Sequence, residues 1–170
     1  MFALRCTRKL LDRIPGVVEE PAPSTTVLGD WTANILFSRP QVILLVSEKS
    51  LLPIVIPAAP MSGLVVRFVE QLAYMLHDLH VPKEKIMAEL GRMLECQIGK
   101  TINRSVVRLS DDYMWRVDRW LSEPRQPSLE TISRRLVDIP LKVYGYATAG
   151  EVSIALFSAS ANAPTVTQEK

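Results

Sequence analysis

Three apolar runs of strand length, close together in the chain, constrain the fold more than any other feature of this sequence. They are WTANILFS from Trp31, QVILLVS from Gln41 and LLPIVIP from Leu51, separated only by RP and EKS. Connections this short join antiparallel neighbours, because parallel strands need a crossover of a dozen or more residues. The runs therefore predict a β-meander. The middle run is apolar at nearly consecutive positions, which is typical of a strand covered on both faces.

A short βα unit precedes the meander and several helices follow it. MFALR alternates like a strand, and Thr7 can cap the brief helix RKLLDRI, which Pro15 and Gly16 stop. Apolar residues then recur at helical spacing. The segments with this spacing are 63–80, 82–94, 103–122 and 128–139. The order predicts an α+β fold, an antiparallel β-meander sheet with an N-terminal βα unit and three to four helices packed on one side.

The chain is expected to form one domain over residues 1–157. With 170 residues, of which 48% are hydrophobic, it can bury a full core without metals or disulfides. Residues 139–157 are predicted to be either a terminal hairpin or an extension exchanged with a partner, and exchange would produce a homodimer. Residues 158–170 are small and polar, which predicts a disordered tail.

Composition narrows the compartment and the general class of partner. A formal charge of +2 is too small to mark a generic nucleic-acid or membrane binder, although a local basic patch is compatible with it. Cys6 and Cys96 are the only cysteines, which favours reduced thiols in a cytoplasmic protein. The most apolar region is interrupted by Glu48, Lys49 and prolines, so no membrane-spanning helix is predicted.

No catalytic fingerprint is complete. GKT at residues 99–101 resembles the end of a phosphate-binding loop, but Leu94 stands where that loop needs its first glycine. His77 and His80 lack a third metal ligand, and no G-x-S-x-G occurs. We therefore predict no catalytic residue, no metal site and no cofactor, and a protein that is not an enzyme. An enzyme acting on a phosphate-bearing substrate or nucleic acid is the alternative.

The helix predicted over residues 103–122 carries four arginines on one face. They are Arg104, Arg108, Arg116 and Arg119, with Asp112 among them. The face could be a solvated surface on which Asp112 pairs with its neighbours, or it could bind DNA directly. The helix start is unusual, because Lys100 and Arg104 add positive charge where the helix dipole is already positive. An anionic ligand or an internal carboxylate such as Asp30 would compensate for that charge, and both interpretations stay open.

Four stretches in this order carry a family resemblance: LRCTRKLLDRI, DWTANILF, VILLVSEKSLLPIVIP and KTINRSVVRLSDD. Over residues 1–122 the chain resembles a bacterial domain family of unknown function with the ordered motifs RCTKKLL, WxANLL and KTxNRS. Some members are joined to plasmid ORF-3-type domains. Thr32 departs from the histidine of that pattern, which argues against an essential histidine there. The resemblance implies no reaction.

The resemblance and the helix start together predict an anion-binding or partner-binding site. Its predicted residues are Lys9, Asn34, Lys100, Thr101, Asn103, Arg104, Ser105 and Arg108. The predicted function is that of an accessory or interaction protein that binds a protein or an anionic partner, with nucleic acid as a further partner class. The family's associations imply a setting in toxin–antitoxin, mobile-element or phage-conflict biology.

Overall fold

The computed structural model describes residues 1–160. The strands are β1 (Phe2–Cys6), β2 (Trp31–Leu36), β3 (Val42–Ser47), β4 (Pro53–Pro57) and β5 (Cys96–Lys100). The helices are α1 (Arg8–Leu11), α2 (Leu64–Asp78), α3 (Lys83–Arg92), α4 (Arg104–Leu121), α5 (Leu129–Val137) and α6 (Ala149–Ala159), and a 3-10 turn spans Lys142–Tyr144. In this range no helix is both long and apolar enough to cross a membrane.

The five strands form one mixed sheet in the order β4-β3-β2-β1-β5. β2, β3 and β4 pair antiparallel, so the predicted meander is confirmed. The prediction of a purely antiparallel sheet is wrong, because β1 pairs parallel with both β2 and β5. The reason is chain length: residues 7–30 connect β1 to β2, and α2 and α3 lie between β4 and β5, so both connections are long enough for crossovers.

Helices cover both faces of the sheet, which corrects the prediction that they pack on one side. On one face, the Trp31 ring packs edge-on against Phe68 of α2, with ring centroids 4.8 Å apart. The next residue, Thr32, points to the opposite face, where α4 packs across β2 and β3. All six residues of β3 are buried. Because β3 is covered on both faces, nearly all of its consecutive residues are apolar.

Both edges of the sheet are occupied by other parts of the chain. Along β4, the backbone N–H of Val55 donates to Ser133 Oγ in α5 at 2.9 Å. Along β5, the N–H of Val18 donates to the carbonyl of Ile98 at 2.7 Å. Free strand edges invite pairing with a second chain.

A buried glutamate that the sequence patterns did not reveal holds the long connection between β1 and β2. Glu89 of α3 has no exposed surface, and its carboxylate accepts hydrogen bonds from the N–H groups of Val27 and Leu28 at 2.8 and 3.0 Å. Arg92 lies 3.8 Å from the same carboxylate. Because its oxygens bind the chain's own donors, this carboxylate has a structural role.

The C-terminal segment differs from its prediction. Residues 139–157 form a 3-10 turn followed by α6 and not a hairpin, and their exchange with a partner stays a prediction. Thr148 and Glu151 form a capping box that starts α6, and Phe157 is buried in the chain's own core. The tail predicted at 158–170 begins inside α6, and its residues 161–170 lie outside the described part of the chain. The single domain at 1–157 stays a prediction.

Candidate site at the start of α4

α4 begins at a side-chain cap followed by a buried anchor. Asn103 Oδ1 accepts hydrogen bonds from the N–H groups of Ser105 and Val106 at 3.2 and 3.3 Å. Val106 is buried and packs into the core. The cap satisfies two of the first-turn N–H groups that the sequence suggested as anion donors. Recognition of an anion at this helix start must therefore rest mainly on side chains.

The cations at the helix start have no internal counter-charge within residues 1–160. Arg104 and Arg108 are exposed one turn apart, and neither lies within 4.0 Å of a carboxylate in this range. Asp112 likewise forms no ion pair there, contrary to the expected pairing. Asp30, the internal carboxylate considered for Arg104, pairs instead with Arg5 at 3.2 Å. The interpretation that Asp30 compensates for the charge of Arg104 is therefore wrong.

The sequence immediately around these arginines is free of acidic residues. Lys100 ends β5, and from there to Ser110 the chain carries three cations and no aspartate or glutamate. We call Lys100, Arg104 and Arg108 the α4 cationic surface. Thr101, Ile102, Asn103 and Val107 border Arg104 and Arg108 in a shallow depression. Ile102 keeps 69% of its surface exposed, so cationic and apolar groups adjoin.

Six of the eight predicted site residues lie together at the end of β5 and the start of α4, and the other two lie on other elements. Lys100, Thr101, Asn103, Arg104, Ser105 and Arg108 follow one another along the end of β5 and the start of α4. Asn34 is buried, and its Oδ1 accepts from Thr7 Oγ1 at 3.0 Å. Lys9 is exposed on α1. Neither of them lines the depression around Arg104 and Arg108.

A groove opens beside the same helix start. We call it the α4 groove, a cavity of about 550 Å³ between α4 and residues 139–144, with the turn after β3 contributing Glu48 and Leu51. Three predicted site residues, Asn103, Ser105 and Arg108, lie on its α4 wall. Its other cations are Arg116 and Lys142. Sequence reasoning missed this groove, because residues 139–144 close it from far along the chain.

Glu48 is a candidate functional residue that no sequence motif pointed to. Its Oε1 accepts from Thr32 Oγ1 at 3.0 Å, and it forms no ion pair with any residue in 1–160. Burial raises the pKa of its carboxyl, while the Thr32 hydrogen bond partly opposes that shift. Its only signal in the sequence is an acidic residue directly after the wholly buried β3.

The two cysteines are poorly suited to nucleophilic chemistry. Burial raises the pKa of the Cys6 thiol to about 12 and that of Cys96 to about 11. The thiolate is the reactive form, so both thiols stay protonated and unreactive near neutral pH. Cys6 shares a second cavity of about 660 Å³ with Arg8, Lys100 and Thr101.

The fold and site define a mixed α/β domain with a five-stranded sheet and helices on both faces. The chain belongs to the family described as "Domain of unknown function (DUF6933)", whose model matches residues 3–152. An uncharacterised domain family, as the motif resemblance implied, is thereby confirmed, and the match continues beyond residue 122 into α6. Comparison with curated proteins and with solved structures gives no match.

Proposed function

We propose that this protein is an interaction domain that binds an acidic segment of a partner protein through the α4 cationic surface. The observation that carries the proposal is the pair Arg104 and Arg108, exposed one turn apart and without an ion pair in residues 1–160. Guanidinium groups bind carboxylates with two parallel hydrogen bonds, which gives both affinity and orientation.

Helix electrostatics favour an external anion at this position. A cation near a helix N-terminus is unfavourable by about 0.3 to 1 kcal/mol, because the macrodipole is positive there. Arg104 carries this cost in the first turn of α4, where no acidic residue offsets it. A bound carboxylate would make the electrostatic energy at the helix start favourable, because it would interact with both the Arg104 guanidinium and the positive end of the dipole. The free protein thus holds a surface that an acidic partner stabilises.

An acidic polypeptide suits the surface better than duplex DNA. The exposed side of α4 continues with Asp111, Asp112 and Asp118, which would repel the evenly spaced phosphates of a duplex. Exposed Ile102 and half-buried Val107 flank Arg104 and offer apolar contact. Arginine beside apolar side chains is typical of protein interfaces. We propose the same setting for the partner as the resemblance implies, namely toxin–antitoxin, mobile-element or phage-conflict biology.

The test compares two double charge reversals with equal change in net charge. R104E/R108E removes the proposed contacts, whereas R119E/R125E alters exposed arginines elsewhere on the surface. Binding of a labelled oligoglutamate peptide is measured by fluorescence anisotropy, with labelled duplex DNA as a second probe. We expect about tenfold or greater weakening for R104E/R108E and about twofold or less for the control. Equal weakening, or tighter binding of DNA than of peptide, would overturn the proposal.

A further inference from the structure

The α4 groove has the dimensions and lining of a small-molecule site, and it shares Arg108 with the α4 cationic surface. Its volume of about 550 Å³ falls within the range of about 300 to 1,000 Å³ that is usual for ligand cavities. More than half of its wall is apolar, with Leu109 on one side and Leu141 on the other. A few polar groups converge on this apolar lining, which is the arrangement that orients a ligand.

A hydrogen-bond acceptor, Glu48, is among the residues that line the groove. Glu48 uses Oε1 to accept from Thr32, whereas Oε2 receives no hydrogen bond from residues 1–160. Glu48 is only partly buried, and its Oε2 keeps contact with solvent. A ligand with N–H groups would donate to this oxygen in place of water. Glu48 is therefore positioned to read the donor edge of a ligand.

An aromatic wall stands beside this acceptor. Tyr144 lines the groove and is only partly buried. Its hydroxyl donates to the carbonyl of Lys49 at 3.0 Å, which fixes the ring relative to the turn that carries Glu48. Flat aromatic ligands stack on such rings, and nucleobases do so with substantial affinity.

Three cations also line the groove. Arg108, Arg116 and Lys142 line it and are exposed, and none forms an ion pair within residues 1–160. Two acidic residues, Glu48 and Asp112, line it as well. Three cations against two acidic residues leave a net positive charge, which favours a ligand with an anionic group.

We propose that the α4 groove binds a guanine nucleotide. The base stacks on Tyr144 and donates to Glu48, because guanine presents an N–H and an amino group side by side, matching a carboxylate. The phosphate lies among Arg108, Arg116 and Lys142. This assignment does not depend on an acidic protein partner, since the groove variants below leave Arg104 unchanged.

The test uses isothermal titration calorimetry on the full chain with four probes: guanosine monophosphate, inosine monophosphate, guanosine and inorganic phosphate. Inosine monophosphate lacks only the amino group, and guanosine lacks only the phosphate. We expect each of these two to bind about tenfold more weakly than guanosine monophosphate, because each loses one set of charge-assisted hydrogen bonds. Inorganic phosphate is expected to bind weakest.

Two variants assign the contacts, and R125A serves as an exposed control. E48Q keeps an acceptor for Thr32 but places an amide donor against the base. Guanosine monophosphate and inosine monophosphate should therefore bind this variant with equal affinity. K142A is expected to weaken the nucleotide severalfold and to leave guanosine unchanged. The proposal is overturned if guanosine monophosphate binds no better than inorganic phosphate, if it fails to bind at millimolar concentration, or if E48Q preserves the preference for guanine.

Discussion

The exposed side of α4 divides into two parts that look alike in the sequence and differ in charge balance. Between Lys100 and Ser110 there are three cations and no acidic residue, whereas residues 111–119 carry three aspartates and two arginines. In the second part, the Arg119 guanidinium lies 5.5 Å from the centre of the Trp115 ring. The second part therefore carries a net charge of −1, whereas the first carries +3 with no acidic residue of its own to offset it.

The comparison shows why an arginine stripe is not in itself a binding site. Both parts belong to one amphipathic helix with a continuous buried side. What distinguishes the start is its position at the positive end of the dipole without an acidic neighbour. Each variant below tests whether this difference lies in the exposed side chains alone.

The largest expected effect concerns the buried side, which should hold both parts of the helix equally. Val106 and Val117 are 3% and 0% exposed. Val106→Ala and Val117→Ala should each lower the free energy of unfolding by about 2 kcal/mol, through lost burial and an unfilled cavity. Urea unfolding followed by circular dichroism measures both. If Val106→Ala alone left the free energy of unfolding unchanged, the helix start would be loosely packed. That result would contradict the claim that the buried side holds both parts of the helix equally.

The next effect isolates the cap. Asn103→Ala should lower the free energy of unfolding by about 1 kcal/mol, because the N–H groups of Ser105 and Val106 lose their acceptor. Asn103→Asp is the matched control, since it keeps the acceptor and adds a favourable negative charge. Thermal and urea unfolding of the pair give the difference. If both variants were equally destabilised, loss of the cap hydrogen bonds would not be the cause of the lower stability.

Single charge reversals at the two ends of α4 should change stability in opposite directions. Arg104→Glu is expected to raise the free energy of unfolding by about 0.3 to 1 kcal/mol, because it places an anion at the positive end of the dipole. Arg119→Glu should lower it by a similar amount near the negative end, where Arg119 is the basic residue of the last turn. Both effects should shrink in high salt. The same sign at both ends would refute the dipole argument.

The smallest effect is a pH dependence at Glu48. Burial raises its pKa in the folded state above the ordinary value of 4.5. The neutral carboxyl therefore makes its full contribution to the free energy of unfolding below pH 4.5. This contribution is lost as pH rises through the raised pKa. Glu48→Gln cannot titrate, so it should be more stable than the natural protein at neutral pH and lose that advantage below pH 4.5. Urea unfolding across this pH range measures the difference, and a constant difference would contradict this cause.

Much of the fold was predictable where its determinants are local. The meander follows from tight connections, and β3's double cover follows from its consecutive apolar residues. The parallel pairing of Phe2 with Cys96 was not predictable, because no local pattern encodes the register of strands so distant in the chain. Helix α6 did leave a readable signal: Thr148 and Glu151 are spaced as a capping box.

The site was predictable in part for the same reason. Six predicted site residues are close together in the chain around the start of α4, so their proximity in the structure could be predicted. Glu48 and Tyr144 acquire their roles only when α4 and residues 139–144 fold over the turn after β3. Lys9 and Asn34 were linked to the site by motif order alone, and motif order does not specify distance.

The most direct test of the central claim maps an acidic ligand onto the two parts of α4. Two-dimensional amide spectra of the labelled full chain are recorded while an oligoglutamate peptide is added. We expect the largest chemical-shift changes at the backbone amides of residues 100–108 and little change at 111–119. Shifts centred on residues 111–119, or spread evenly along α4, would contradict the proposal that the helix start is the binding surface.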